Sequence, residues 1–173
     1  GEELFPPVEH EVHHEVYDPE HNIIMVGRID AVFRHPDGGL VIGELKTGNM
    51  NKNKLSRTRR ELCFYSHVLR LMGETRPITH FAYLAPDADN MDFVMDMLND
   101  SKRQVMLGEE KGILVVEKVS QRSHNAFLKA LDKVVAGLKA HENPMKWSDY
   151  FCPQWCDFSA QCESELTGVG DEW

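Results

Sequence analysis

The amino-acid sequence predicts an α/β fold, a mixed central β-sheet flanked by helices. Two observations carry this. Three strand-like segments joined by turn signals come first, and a segment of helical periodicity then separates them from the next strand. A length of 173 residues suits one domain with a real core, so residues 1–173 are expected to form a single domain with a cysteine-containing tail from about 144 to 173.

The elements follow in order. Residues 7 to 17 place Val8, Val12 and Val16 among polar neighbours, the pattern of a half-buried strand. A break over Asp18 to Asn22 leads to a second strand over 23 to 34, and His35-Pro36-Asp37-Gly38-Gly39 supplies a hairpin turn. Residues 40 to 46 form the third strand, and Gly48 to Lys54 a polar loop. From Leu55 to Met72 the spacing is helical, with Leu62, Tyr65, Leu69 and Met72 on one face and Gly73 at the end. Ile78 to Leu84 reads as a strand, and residues 91 to 106 as a helix with Phe93, Met97 and Leu98 inward. Ile113 to Val119 is a strand. Ser123 caps a last helix carrying Phe127, Leu131, Val134 and Leu138, and Pro144 follows it. The predicted order is β-β-β-α-β-α-β-α.

Composition excludes several classes. No apolar run approaches the roughly 18 residues of a membrane span. The first residues, Gly1-Glu2-Glu3-Leu4-Phe5, have neither the basic start nor the apolar stretch of a secretory signal, and the chain begins without Met. The four cysteines, three of them late, therefore read as those of an intracellular, reducing (cytoplasmic) protein. The net charge of -9 argues against wholesale coating of nucleic acid. Yet Lys46, Lys52, Lys54, Arg57, Arg59 and Arg60 occur with no acid among them. This run reads either as a solvated helix face or as a patch that steers phosphates toward a site.

Strand period two puts Leu40, Ile42, Glu44 and Lys46 on one face of the third strand and Leu45 on the other. In the second strand, Asp30 shares its face with Ile24, Val26, Arg28 and Val32. An acid on such a face is costly unless it is paired or binds metal. The hairpin brings Asp30 toward Glu44, and two close carboxylates repel unless a cation such as Mg²⁺ lies between them. A metal there polarises a phosphoryl oxygen and lowers the pKa of a bound water, while Lys46 orients that water or stabilises developing negative charge. The same residues also fit a structural ion pair of Asp30 with Arg28 or Lys46, or of Glu44 with Lys46, without catalysis.

Gly27-Arg28-Ile29-Asp30, the hairpin, and Val41-Ile42-Gly43-Glu44-Leu45-Lys46-Thr47-Gly48 resemble the PD-(D/E)XK nuclease superfamily, and within it the RecB-like and Cas4-like exonuclease branch. The resemblance spans roughly residues 8 to 162 and implies a restriction-endonuclease-like core. It implies Asp30 and Glu44 as metal ligands, the Leu45 carbonyl as a third, and Lys46 as the catalytic lysine. The branch carries Q-x-x-x-Y on the next helix. Here the positions read Glu61-Leu62-Cys63-Phe64-Tyr65, so Tyr65 fits and Glu61 stands in for Gln; both join the implied catalytic set. Lys52, Lys54, Arg57, Arg59 and Arg60 are then the candidate DNA contacts.

Relatives hold a [4Fe-4S] cluster with late cysteines spaced C-x2-C-x5-C and one early cysteine. Here Cys152, Cys156 and Cys162 are spaced C-x3-C-x5-C, no cysteine precedes Gly27, and Cys63 lies in the Tyr65 helix. The outcomes are a cluster or Zn²⁺ completed by a group outside the chain, a Zn²⁺ site using a His, or reduced cysteines packed as small hydrophobes. Relatives also carry an early helix whose His joins the metal site. The chain starts after that position, leaving His10, His13 and His14 as its nearest histidines.

The resemblance implies a Mg²⁺- or Mn²⁺-dependent DNA nuclease, an exonuclease acting on ends or single strands in DNA processing or repair. DNA is the expected partner, together with a helicase or another DNA-processing protein and no membrane. The alternatives are a weakly active or inactive nucleic-acid-binding module of the same fold, and a structural domain tethered to a helicase or a spacer-acquisition complex.

Overall fold

The computed structural model describes residues 8–90, 92–93, 102–140, 152–155 and 157–167. The chain divides into two compact units, Gly1–Asp132 and Lys133–Trp173. The first holds β1 (Glu9–Asp18), β2 (Ile23–Arg34), β3 (Leu40–Leu45), α1 (Lys52–Leu71), β4 (Ile78–Ala85), β5 (Arg103–Leu107) and β6 (Ile113–Lys118), and α2 (Gln121–Lys139) begins in it. The second contains two short helices, α3 (Cys152–Trp155) and α4 (Ser159–Thr167). No helix of the described residues is long and apolar enough to cross a membrane.

The six strands form one mixed sheet in the order β1-β2-β3-β4-β6-β5. Every neighbouring pair is antiparallel except β3–β4. A parallel pair cannot be closed by a tight turn, and α1 makes the crossover. Asn51 starts α1 by accepting the Lys54 N–H at 2.8 Å. Gly73, at φ +90°, ends it: its N–H bonds the Arg70 carbonyl and the next N–H bonds that of Leu69.

Leu62, Val68, Leu69 and Tyr65 of α1 pack on Ile29, Leu40, Ile42, Phe81, Tyr83 and Val115 of the sheet, and Phe127 of α2 joins them. Each such aliphatic burial contributes about 1.5–3 kcal/mol. Phe33, Val41, Ala82 and Val116 form a smaller cluster on the opposite face.

Four sequence expectations need correction. The helix expected over 91–106 is replaced from Arg103 by strand β5, which pairs with β6 from Arg103↔Glu117 to Leu107↔Ile113. The ladder satisfies backbone groups of a segment whose helical spacing was weak. Phe93 is buried, and Met97 and Leu98 lie outside the described residues, as does Pro144. Second, α2 begins at Gln121, ahead of Ser123, and its Val134 and Leu138 are exposed while Val135 is buried. Third, Met72 caps α1 at its exposed end. Fourth, Val32 does not share a face with Ile24, Val26 and Arg28. Ile29 and Val32, three residues apart, both belong to the α1-side core, so side-chain alternation slips by one between them. Glu11, opposite, has φ +49°, and Val8 beyond it is exposed. Ile24, Val26 and Arg28, expected on the face of Asp30, are exposed rather than part of the core.

Candidate active site

The site forms where three elements converge. The β2–β3 ladder runs from Arg34↔Leu40 to Ala31↔Gly43 and stops one step before Asp30 and Glu44. In place of the next rung, Asp30 Oδ2 accepts the Leu45 N–H at 2.7 Å. This bond fixes the Asp30 carboxylate at the end of β3. The two acids lie close enough for the Asp30 charge to act on Glu44.

Glu44 and Lys46 project toward α1, as strand parity requires, and Leu45 points the other way and is exposed. Lys46 Nζ donates to Glu44 Oε1 and to Glu61 Oε2, each at 2.8 Å. Glu61 comes from the third turn of α1 and Tyr65 one turn later, on the same helix face. The Arg28 carbon skeleton leads elsewhere: its guanidinium bonds Glu11 Oε2 at 2.9 Å, so it does not neutralise Asp30.

Gly27 explains why a glycine stands in the motif. A methyl group there would lie 2.9 Å from Phe64 Cε1 and 3.1 Å from Tyr65 Cε1, so the bare backbone lets α1 seat Tyr65 against β2.

The electrostatics are lopsided. Burial raises the Glu44 pKa to about 7; the Lys46 hydrogen bond opposes this, and the negative charges of Glu61 and Asp30 add to it. Its Oε2 is buried with no hydrogen-bond partner among the described residues. Burial works against the Lys46 ammonium, but its bonds to Glu44 and Glu61 outweigh that and hold its pKa above the usual value. Burial, then the charges of Glu44, Glu61 and Asp30, keep the Tyr65 phenol protonated well above its ordinary range.

A divalent cation fits this donor set. An orphaned, buried carboxylate oxygen beside a second acid is stabilised by a hard cation with oxygen ligands. Among the described residues no group of three or more His, Cys, Asp or Glu side chains is arranged to hold a metal. The set here is two carboxylates, with the Leu45 carbonyl as the implied third ligand.

The loop after Lys46 is pinned. Gly48, at φ +66°, donates its N–H to both oxygens of Asp87, at 2.9 Å each. Lys54 Nζ donates to the carbonyls of Thr47 (2.7 Å) and Asn49 (2.9 Å). Lys54 is thus a loop clamp, and nothing in the sequence spacing signals the contact between Gly48 and Asp87.

The basic run separates in the same way. Arg59 points into the fold, bonding both oxygens of Glu117 at 2.5 and 2.9 Å, because its turn of α1 faces the sheet. That engagement removes it from the set free to meet a phosphate. Lys52, Arg57 and Arg60 are exposed, and the two arginines make no hydrogen bond or ion pair among the described residues.

Of the late cysteines, Cys152 and Cys162 are half-buried and not in a disulfide, and Cys156 lies outside the described residues. Cys63 is buried in α1, where burial raises its thiol pKa to about 11. Of the early histidines, His10 and His13 are exposed. His14 is buried, with Nε2 unbonded and 3.8 Å from Glu9 Oε2.

Among curated proteins no match to the chain is found. The family model of the PD-(D/E)XK nuclease superfamily matches residues 1–163, nearly the whole chain and every part of the acid–lysine site. With the mixed sheet, the crossover helix and that site in the family's order, the chain belongs to the PD-(D/E)XK nuclease superfamily.

Proposed function

We propose that this chain is a divalent-metal-dependent deoxyribonuclease, an exonuclease that hydrolyses phosphodiester bonds at DNA ends or in single strands during DNA processing or repair. The superfamily consists of nucleases acting on nucleic acids that typically use divalent metals such as Mg²⁺. The observation that carries the reading is the unpartnered, buried Glu44 Oε2 beside Asp30, with Lys46 anchored next to it.

Asp30, Glu44 and the Leu45 carbonyl would hold Mg²⁺ or Mn²⁺. When bound, the ion polarises a phosphoryl oxygen and promotes deprotonation of the attacking water. Lys46, fixed by Glu44 and Glu61, orients that water or meets the charge developing on phosphorus oxygens. Tyr65, kept as a phenol, donates a hydrogen bond into the same space. Arg57 and Arg60 attract the strand electrostatically. The DNA-processing context makes a helicase-type partner a natural companion, and the late cysteines remain candidates for Zn²⁺ or a [4Fe-4S] cluster.

One observation favours a second reading. Lys46 is already neutralised by Glu44 and by Glu61, which stands where the branch has Gln. A module of this fold that binds nucleic acid with little or no cleavage would also carry that ion pair.

A time course on end-labelled single- and double-stranded DNA with Mg²⁺, Mn²⁺ or EDTA separates the two. Cleavage that EDTA stops, and that Glu44→Ala and Lys46→Ala lose, is the expected result. Intact DNA with Mn²⁺, together with unchanged DNA binding by Lys46→Ala, overturns the enzyme reading and leaves the binding module.

A further inference from the structure

A second site is suggested by a cavity of about 730 Å³ at the far end of the sheet from Glu44. Strand β3 runs from Leu40 beside Ile78 to Glu44 beside Tyr83, and the cavity opens at the Ile78–His80 end of β4. It therefore shares no lining residue with the acid–lysine site. Its size is that of a small-ligand pocket rather than of a gap between side chains.

Its chemistry is cationic in a chain of net charge -9. Arg70 of α1 and Lys118 at the end of β6 line it, both exposed, and their side chains make no hydrogen bond or ion pair among the described residues. Its single acid, Asp37, is already bonded to His35. Ser66, only 5% exposed, lines the cavity and has no side-chain partner among the described residues. His80, 8% exposed, uses one ring nitrogen on Thr79 Oγ1 at 2.9 Å and leaves the other unbonded. Burial lowers the pKa of His80, and His35 and Lys118 lower it further against the opposing charge of Asp37. Burial likewise lowers that of His124, helped by His67 and Arg70.

Guanidinium and ammonium groups over a floor of an unpartnered hydroxyl and an imidazole with one open ring nitrogen suit a tetrahedral oxyanion. Arg and Lys supply charge-assisted bonds, and Ser66 supplies a neutral one. The remaining volume has room for the rest of a molecule of nucleotide size. We propose that this cavity binds a phosphate monoester, with Arg70 and Lys118 as its cationic ligands and Ser66, His80 and His124 as its polar floor.

The monoester can be a free mononucleotide or the phosphorylated end of a strand, and the test distinguishes them. Imidazole resonances of His80 and His124 are followed by NMR during titration with inorganic phosphate, deoxyadenosine 5′-monophosphate, and an eight-nucleotide oligothymidine carrying either a 5′-phosphate or a 5′-hydroxyl. The expected result is saturable shifts with phosphate and the mononucleotide, and at least tenfold weaker binding by Arg70→Gln/Lys118→Gln. Both residues are exposed, so the double variant is expected to keep the wild-type fold, which its circular dichroism checks. Ser66→Ala is expected to weaken binding to a smaller degree. Shifts with the 5′-phosphorylated but not the 5′-hydroxyl oligonucleotide assign the site to strand ends. Shifts with the mononucleotide and neither oligonucleotide assign it to free nucleotides. Absence of shifts with phosphate and mononucleotide alike, or unchanged binding by the double variant, overturns the proposal. Glu44→Ala, which removes the proposed cleavage site, is expected to leave these shifts as in the wild type.

Discussion

Glu44 and Glu117 are each 5% exposed, and each meets α1 from a strand of the same sheet. Glu117 is fully satisfied. Arg59 holds both of its oxygens, the Tyr83 hydroxyl donates to Oε1 at 2.5 Å, and Arg103 donates to Oε2 at 3.0 Å. Burial pushes its pKa up, but Arg59, Tyr83 and Arg103 overcome that and leave it below the ordinary value. Glu44 has one ammonium, shared with Glu61, and a buried oxygen with no partner; its pKa stands at about 7. Equal burial thus has opposite electrostatic outcomes. A buried carboxylate with complete pairing is part of the framework. One left short of positive charge beside a second acid is prepared for a ligand that supplies it.

That contrast can be tested from both sides. The largest effect on stability is expected at the satisfied residue. Glu117→Ala leaves the half-buried Arg59 and the buried Tyr83 hydroxyl without their partner and should cost about 3–5 kcal/mol in urea unfolding. Because the folded-state pKa of Glu117 is depressed, the wild-type stability it contributes is present above the ordinary 4.5 and is lost as pH falls below it. A loss under about 1 kcal/mol would show that the network is not structural.

For the unsatisfied end the largest effect is on rate. Lys46→Ala is expected to slow single-turnover DNA cleavage by about 10²–10³-fold, the usual cost of one transition-state donor. Its unfolding midpoint should move far less than that of Glu117→Ala.

Next comes Glu44→Gln. The Glu44 carboxyl binds its proton more tightly folded, at about 7, than at its ordinary 4.5. Wild-type stability should therefore fall as pH rises from 4.5 through 7, by up to about 3 kcal/mol. The glutamine variant should lack this slope and equal or exceed wild type at pH 8. Mg²⁺ should raise the wild-type Tm at pH 8 and leave that of the variant unchanged. Glutamine behaving as a destabilising change at pH 8 would contradict the account of a frustrated acid.

The smallest effect concerns the basic run. Arg57→Gln with Arg60→Gln should weaken DNA binding evenly across sequences and flatten the salt dependence by about one unit of slope per lost phosphate contact. Arg59→Gln should lower stability instead, since its guanidinium is committed to Glu117. Equal salt effects from all three arginines would break the division of this helix into an inner and an outer set.

Strand β2 was legible to its ends, Ile23 and Arg34, because apolar β-branched residues between clear turn signals carry that information locally. The segment 103–107 was not, since its strand exists only through pairing with β6. Within the site, the common face of Glu44 and Lys46 followed from period two alone. The setting of Asp30 did not, because the slip in alternation between Ile29 and Val32 depends on how two strands fit together.

By itself the sequence determined the mixed α/β class, the order of the motif residues, and the placement of Glu44, Lys46, Glu61 and Tyr65 on their strand and helix faces. These follow from local periodicity. Tertiary structure alone decided that Glu61 completes the Lys46 pair across 15 residues, that Arg59 turns inward to Glu117 across 58, and that Glu44 keeps an unpaired oxygen. The physical reason is that pairing and desolvation belong to groups distant in the chain. A residue's own neighbours in sequence set its direction, but only the packed fold sets what it meets there.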